Sequence, residues 1–336
     1  MTDMRIPRSD LDRLLGRLAE RAEVFAPGRD AAGDPAFARL RDDEPVALDW
    51  RNSRLPPKSF VLPQRQEMIH FRDGKEEEPP FSEGETILFG VRPCDARAML
   101  CLDKVFLDGE RRDPYYAHLR EKTTVIALAC TRPMSSCFCT SVGGGPGDKA
   151  GADVLAVELD ADLLLRPATP KGERLLSSVA DVLAEGGPAA RQEAEERIQA
   201  VEEQIAPVEL EDIAQRLREE YDSPLWEDAS RKCLGCGTCS FLCPTCHCFD
   251  VTDDVRRGTG RRVRTWDCCA YPLFTLHASG HNPRPTPKER WRQRIMHKFR
   301  YAAENFGGLF CVGCGRCVRS CPAGMDLRST LKQIGA

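Results

Sequence analysis

Several features that are common in enzymes and membrane proteins are missing from this 336-residue chain. No apolar run approaches the roughly 18 residues that span a bilayer, and no apolar segment with a small-residue cleavage site begins the chain. Neither G-x-G-x-x-G after a strand nor G-x-x-x-x-G-K-[ST] occurs. Among six histidines, no H-E-x-x-H motif or Ser/His/Asp order stands out. We therefore expect a cytoplasmic protein without nucleotide-binding motifs and without visible substrate chemistry.

Composition indicates a folded protein that is close to electrically neutral. Hydrophobic residues make up 41% of the chain and charged residues 30%, which argues against wholesale disorder. Forty-eight basic residues against 52 acidic ones give a net charge of −4, so the molecule as a whole is not a polyanion binder. The length predicts two domains or three.

Cysteine is the abundant residue, with 17 copies. None lies in residues 1–93 or 140–232; five lie in residues 94–139 and twelve in residues 233–321. In a chain without a secretion signal, such numbers indicate metal or redox ligands rather than a disulfide framework.

This distribution predicts an α+β protein in three parts. Residues 1–188 form a mixed α/β domain with cysteines in loops at strand ends. Residues 189–221, charged and broken only at Pro207, form a helical linker; a solvated helical face packed on the first domain is the alternative. Residues 222–336 form a helical, ferredoxin-like domain with two clusters and a long insertion.

Local patterns support the mixed α/β interpretation of the first part. Four leucines at helical spacing follow Ser9, a candidate N-cap, and are Leu11, Leu14, Leu15 and Leu18. Residues 86–91 and 124–129 have the length and composition of strands, and residues 153–165 resemble a hairpin. Asp95 is a candidate cap for the helix that follows the first of these strands.

Thiols follow both predicted strands directly. Cys94 comes after residues 86–91 and Cys130 after residues 124–129. Because open α/β sheets bind ligands at the carboxyl ends of their strands, these thiols, with Cys137 and Cys139, are a possible third iron–sulfur site. Reduced cysteines that line an interface are the alternative. Cys101 is expected in the core.

Two runs in the last part match C-x2-C-x2-C-x3-C-P, the bacterial ferredoxin spacing. Three closely spaced thiolates hold one [4Fe–4S] cube, and the fourth cysteine of each run ligates the other cube. The spacing therefore assigns two cubes. The first has the ligands Cys233, Cys236, Cys239 and Cys321. The second has the ligands Cys311, Cys314, Cys317 and Cys243. Zinc is disfavoured, since its sites use two pairs of ligands.

The runs are separated by the long insertion, residues 244–310, which must fold out and return. Residues 287–305 within it have helical composition. The insertion holds four more thiols beside His247, which either ligate another metal or pack around the clusters; they are Cys246, Cys248, Cys268 and Cys269.

Residues 255–300 are strongly basic, with twelve Lys/Arg against Asp267 and Glu289. Nucleic-acid binding is disfavoured because no recognisable binding module or aromatic platform accompanies the charge. These cations are more compatible with facing negatively charged clusters or docking an acidic partner. About half of these basic residues are expected to lie on a plain solvent-exposed face.

Taken together, these pieces resemble a known family. The segments that carry the resemblance are residues 55–64, 90–99, 113–116, 137–141, 243–251 and 280–285, with both ferredoxin runs. The chain resembles the iron–sulfur beta subunit of cytoplasmic NAD(P)-linked nickel–iron hydrogenases (sulfhydrogenases), a family that also includes the iron–sulfur subunit of anaerobic sulfite reductase. It departs from the family at Cys268, where a serine is expected.

The resemblance implies a non-catalytic electron-transfer subunit. It would relay electrons between a hydrogenase module and an NAD(P)H-linked flavin subunit, without membrane or nucleic acid. Two alternatives stay open: relay to a siroheme subunit of sulfite reductase, and a chain with its own thiol, metal or flavin redox site. Since neither terminal active site lies in this chain, its sequence does not choose between the partners.

Overall fold

A computed structural model describes residues 2–41, 46, 48–79 and 81–335. It divides the chain into two compact units. The first comprises Met1–Val61, Ser82–Ala206 and Val312–Cys314, and the second comprises Leu62–Phe81, Pro207–Cys311 and Gly315–Ala336. Among the described residues, no helix is both long and apolar enough to cross a membrane.

The strands are short and are distributed over both units. In chain order they are β1 (Met4–Pro7), β2 (Glu23–Arg29), β3 (Pro35–Arg39), β4 (Arg65–Arg72), β5 (Lys75–Glu77), β6 (Thr86–Val91), β7 (Thr123–Leu128), β8 (Val154–Glu158), β9 (Asp162–Pro167), β10 (Ala184–Glu185), β11 (Phe249–Arg256) and β12 (Thr259–Trp266).

The helices are likewise found in both units. In chain order they are α1 (Leu11–Ala19), α2 (Pro93–Phe106), α3 (Pro114–Lys122), α4 (Pro170–Ser177), α5 (Pro188–Glu202), α6 (Ile213–Glu219), α7 (Leu225–Ser230), α8 (Thr238–Phe241), α9 (Pro287–Met296), α10 (Ala302–Phe306), α11 (Arg316–Arg319) and α12 (Leu327–Gly335).

The first unit is built on an eight-stranded sheet of order β10-β1-β9-β8-β7-β6-β2-β3. Strands β2, β6, β7 and β8 are parallel, and the outer pairs are antiparallel. Strand β7 is buried along its whole length, as expected when both faces of a parallel sheet are covered. One face packs against α1 through Leu14 and Leu18, and the other against α2 through Met99. The predicted strands and the predicted hairpin are confirmed.

Two predicted helix caps are wrong. Helix α1 starts one residue later than expected, with Asp10 as its N-cap, because Ser9 lies in a preceding 3-10 turn. Helix α2 begins at Pro93 with Arg92 as its N-cap, so Asp95 lies inside the first turn. Proline is favoured at that first position because it needs no amide hydrogen-bond partner.

The charged segment before the ferredoxin runs is helical, as predicted. Helix α5 belongs to the first unit, where Ala194 and Ile198 pack against the core, and α6 belongs to the second. The unit boundary in this segment lies between Ala206 and Pro207.

The second unit combines helices with a four-stranded antiparallel sheet of order β11-β12-β4-β5. The β11–β12 hairpin comes from the insertion, whereas β4 and β5 come from the first part of the sequence. The composition predicts a helical domain here and does not reveal this sheet. Residues 287–305 are helical as predicted and include one turn of π-helix, His297–Tyr301. The α+β class is confirmed.

Candidate functional site

A cavity in the second unit, here called the ferredoxin cavity, brings together thiols from both runs. It is lined by the four cysteines that the spacing assigns to the first cube, namely Cys233, Cys236, Cys239 and Cys321. Cys317, assigned to the second cube, lines it as well. Cys236 is exposed, while Cys233, Cys239 and Cys321 are half-buried. The structure thus places the last cysteine of one run beside the first three of the other.

Glycines shape the loop on which the first run lies. Gly235 and Gly237 both have positive φ, which side chains rarely adopt. A Cβ atom at Gly237 would lie 2.7 Å from the hydroxyl of Tyr271. A side chain at position 237 would therefore collide with Tyr271. Glycine has no side chain and lets the loop pass this close to the ring.

The ligands predicted for the second cube are divided between the two units of the structure. Cys243, Cys311 and Cys317 belong to the second unit, and Cys314 belongs to the first. Cys243 is buried, and its Sγ accepts a hydrogen bond from Lys298 Nζ at 3.2 Å. A hydrogen bond from Cys246, together with the Lys298 ammonium, holds the pKa of the Cys243 thiol well below its usual range. This environment stabilises the thiolate, which is the form that binds metal.

Two buried cations of the basic segment point toward thiols. Lys298 is 4% exposed and Arg294 is 3% exposed. Arg294 donates hydrogen bonds to Cys246 Sγ at 3.4 Å and to the Cys239 carbonyl at 2.8 Å. Burial opposes their charge, but nearby thiolates raise the pKa of both cations. Lys298 therefore faces the thiol of a predicted cluster ligand, Cys243, whereas Arg294 faces the thiol of Cys246 and the backbone of Cys239.

Other basic residues of that segment have ordinary partners. Arg262 pairs with Asp253, and Arg261 pairs with Glu67. Arg292 lies over the ring of Tyr221, with 4.1 Å between its Cζ and the ring centroid. The side chains of Arg261 and Arg262 are 44% and 40% exposed, in agreement with the expectation of a solvated face for part of the segment, whereas that of Arg292 is 15% exposed.

A second cavity, the strand-end cavity, lies in the first unit at the carboxyl ends of the parallel strands. Its lining includes all four thiols that were suggested as a third site, namely Cys94, Cys130, Cys137 and Cys139. Cys94 lies in the first turn of α2 just after β6, and Cys130 follows the neighbouring parallel strand β7. The topology therefore delivers both thiols to one edge, as the strand pattern predicted.

The strand-end cavity is also lined by Gly313 and Cys314. The amide of Phe138 donates to the Gly313 carbonyl at 2.9 Å. A Cβ atom at Gly313 would lie 2.4 Å from the amide nitrogen of Cys139, and its φ is +63°. Glycine is required at this position, where the loop of the second run meets the loop that carries Cys137 and Cys139.

Arginines surround this cavity. Arg51, Arg92 and Arg132 all line it. The buried Arg92 guanidinium donates to the carbonyl oxygens of Ala129, at 2.8 Å, and Leu128, at 3.2 Å. Arg92 is not among the residues predicted from the sequence, although its position two residues before Cys94 was an available signal.

Burial disfavours ionisation of these thiols. It raises the pKa of Cys130 despite the nearby Arg92, and it raises the pKa of Cys139 to about 12. A metal would therefore have to displace these protons in order to bind, and the nearby arginines would favour a negatively charged group in this cavity.

The remaining cysteines fall into two groups. Cys101 is buried on α2, as expected for a core residue. The four thiols of the insertion lie at the base of the β11–β12 hairpin, where Cys269 is hydrogen-bonded to Cys248 and Cys268. Nowhere in the described ranges do three His, Cys, Asp or Glu side chains converge closely enough to hold one metal ion. The cysteines of these ranges form no disulfide bridges.

A known family matches the part of the chain that contains the ferredoxin runs, and a known protein matches almost the whole chain. Residues 232–325 match the family described as "4Fe-4S dicluster domain". The chain is 34% identical over 325 residues to sulfhydrogenase 2 subunit beta of Pyrococcus furiosus, covering 95% of this chain and 94% of that protein. The chain belongs to the family of sulfhydrogenase beta subunits and contains a 4Fe-4S dicluster domain.

Proposed function

We propose that this chain is the electron-transfer subunit of a cytoplasmic hydrogenase complex. It relays single electrons between a hydrogenase module and an NAD(P)H-linked flavin subunit. The relative from Pyrococcus furiosus carries the name of a sulfhydrogenase beta subunit, which supports a place in a hydrogenase complex. The absence of a nucleotide-binding motif from the sequence favours hydride chemistry in another polypeptide of the complex.

The carriers are two [4Fe–4S] cubes with crossed ligation. Cys233, Cys236, Cys239 and Cys321 hold the first; Cys311, Cys314, Cys317 and Cys243 hold the second. The observation that carries the proposal is the ferredoxin cavity, where Cys321 lines the same space as the first run. The assignment of Cys314 rests on the spacing of its run.

Because Cys236 is exposed, the first cube lies near the protein surface in this proposal. Electron transfer to a partner requires such close approach. Leu234, the residue between two ligands of this run, is 71% exposed. This run therefore reaches the protein surface.

A third [4Fe–4S] cluster is proposed in the strand-end cavity, with Cys94, Cys130, Cys137 and Cys139 as ligands. Four thiols, surrounding arginines and the enforced glycine at Gly313 support it. Since Cys314 lines the same cavity, this cluster would adjoin a ligand of the second cube and extend the electron path.

The test of crossed ligation compares three serine variants of the full chain after anaerobic reconstitution. Cys233→Ser and Cys321→Ser should remove the same redox-active signal in electron paramagnetic resonance, whereas Cys311→Ser should remove a different one. Cys101→Ser, which alters a core thiol, is the matched control and should leave both signals. If Cys321→Ser and Cys311→Ser instead remove the same signal, the crossed assignment is wrong.

The partners are tested by purification of the native complex. Nickel and flavin should co-purify with this chain, and the wild-type chain should bind about eight iron atoms, or about twelve with the third cluster. A complex that contains siroheme and no nickel would overturn the hydrogenase assignment.

A further inference from the structure

Strand β11 lies at one edge of the four-stranded sheet in the second unit, and no strand of the described residues pairs with its outer side. All of its residues, Phe249–Arg256, are exposed. Two of them, Val251 and Val255, are exposed apolar side chains. Proteins usually shorten or cover long edge strands of this kind, because another chain can add to the sheet there. The open side of β11 is therefore a candidate surface for strand pairing.

Hydrogen bonds at the base of the hairpin show which residues of β11 face this open side. The Asp267 amide donates to the Cys248 carbonyl at 2.9 Å. Because hydrogen-bonded pairs alternate along an antiparallel ladder, the even-numbered residues of β11 bond to β12. The residues that direct their backbone N–H and C=O groups outward are thus the odd-numbered ones, including Val251, Asp253 and Val255.

Two charged side chains of β11 have no ionic partner. Among the described residues, neither Asp250 nor Arg256 lies within ion-pair distance of an opposite charge. Asp253, by contrast, accepts two hydrogen bonds from Arg262, at 2.7 Å and 2.8 Å, which compensate its charge. Asp250 and Arg256 lie on the same face of the sheet, because successive side chains of a strand alternate between faces. The strand thus presents one uncompensated carboxylate near its start and one uncompensated guanidinium at its end.

We propose that two copies of this chain associate by antiparallel pairing of their β11 strands across a two-fold axis. Outward-facing residues pair with outward-facing residues, so the register changes only in steps of two. When Val251 of one copy lies opposite Val255 of the other, Asp250 lies opposite Arg256 on both sides of the axis. A shift by two residues in either direction places Asp254 opposite Asp250 or opposite its own copy, and like charges in such positions are destabilising.

The favoured register also accounts for the centre of the strand. The axis passes between the two copies of Asp253, whose carboxylates are already compensated by Arg262. The valines cover each other on the opposite face from the ion pairs. Because a single pair of strands makes a small interface, we expect a weak and reversible dimer. This inference goes beyond the proposed function and uses none of the cluster ligands.

The test exchanges charges in the full chain, reconstituted anaerobically. Asp250→Arg places arginine opposite arginine, and Arg256→Asp places aspartate opposite aspartate. Each variant alone should therefore dimerise at least about tenfold more weakly than wild type. An equimolar mixture of the two should recover the dimer, because arginine then lies opposite aspartate at both positions. Asp108→Arg, which changes an exposed carboxylate of the first unit, is the matched control and should dimerise like wild type.

Sedimentation velocity up to roughly 100 µM chain measures the association, and native mass spectrometry identifies the mixed dimer. A wild-type chain that stays monomeric over this range overturns the proposal, as does a dimer that Asp250→Arg leaves intact. Failure of the mixture to recover the dimer rejects the register. A monomeric wild type whose native complex loses a subunit in Asp250→Arg assigns the edge to a different partner and also overturns self-pairing.

Iron content and resonance signals provide the internal control. They should be the same in wild type and in every charge variant, because no cluster ligand is changed. Failure of the dimer with these readings intact leaves the proposed function untouched, whereas loss of the signals in wild type would contradict the proposed function alone.

Discussion

Replacement of Lys298 by methionine tests how the fold tunes the second cube. Lys298 lies in the π-helical turn and is almost completely buried. Its ammonium donates to Cys243 Sγ at 3.2 Å, and also to Thr245 Oγ1 at 2.8 Å and the Phe310 carbonyl at 2.9 Å. Methionine has a similar length but no charge and no donor, so the substitution removes the cation with little change in packing.

The size of the effect follows from the distance. Unit charges 3.2 Å apart interact by about 5 kcal/mol at an effective dielectric constant of about 20. If the electron added on reduction is shared among four ligand corners, roughly a quarter of this acts at Cys243. That quarter, about 1.3 kcal/mol, corresponds to about 55 mV for one electron. Because the lost charge is positive, the reduced form is destabilised and the midpoint potential falls.

Spectroscopic redox titration of the reconstituted full chain measures this shift. The signal that Cys311→Ser removes should move to a more negative potential in Lys298→Met. The signal that Cys233→Ser removes should move much less. Lys288→Met is the matched control, because Lys288 lies on α9 and pairs with Glu227 on the surface. An unchanged or more positive potential in Lys298→Met would refute the assignment of Lys298 to this cube.

Further predictions concern the first unit. Gly313→Ala should abolish the strand-end cluster and lower the thermal stability, since its Cβ would meet the Cys139 amide. Gly307→Ala, which has a similar φ of +66° and open space, should cost only the left-handed strain, about 1–2 kcal/mol, in chemical denaturation; equal losses in both variants would show that the contact is unimportant. Tyr116→Phe removes a buried hydrogen bond of 2.7 Å to Asp103 and should lower the free energy of unfolding by about 1 kcal/mol, with iron content unchanged. A stability equal to wild type would contradict the importance of that bond.

The candidate sites differ in how far sequence reasoning could reach them. The ferredoxin runs are recognisable from spacing alone, because a cube needs three thiolates within a few residues of each other. The strand-end thiols follow from a weaker pattern, two apolar strands each followed by cysteine. That inference places them correctly because neighbouring parallel strands end at the same edge of a sheet.

Other features depend on contacts between distant residues. The pairing of β12 with β4 joins residues about two hundred positions apart, and nothing local in either strand specifies the partner. The position of Lys298 beside Cys243 is equally hidden in the sequence. Lys298 belongs to a basic segment that also contains surface residues, and nothing local distinguishes it from them. Helix starts were misplaced by one residue at Ser9 and by three residues at Asp95, where several neighbouring side chains could serve as caps.

The sequence by itself determined which chemistry this protein can perform, since cluster ligands must occur at short, regular spacing and that spacing is written along the chain. The tertiary structure decided which thiols share a cavity, which cations lie beside them and where the backbone admits only glycine. The physical reason is that burial and charge compensation arise when distant segments pack together, so they are properties of neighbours in space rather than in sequence.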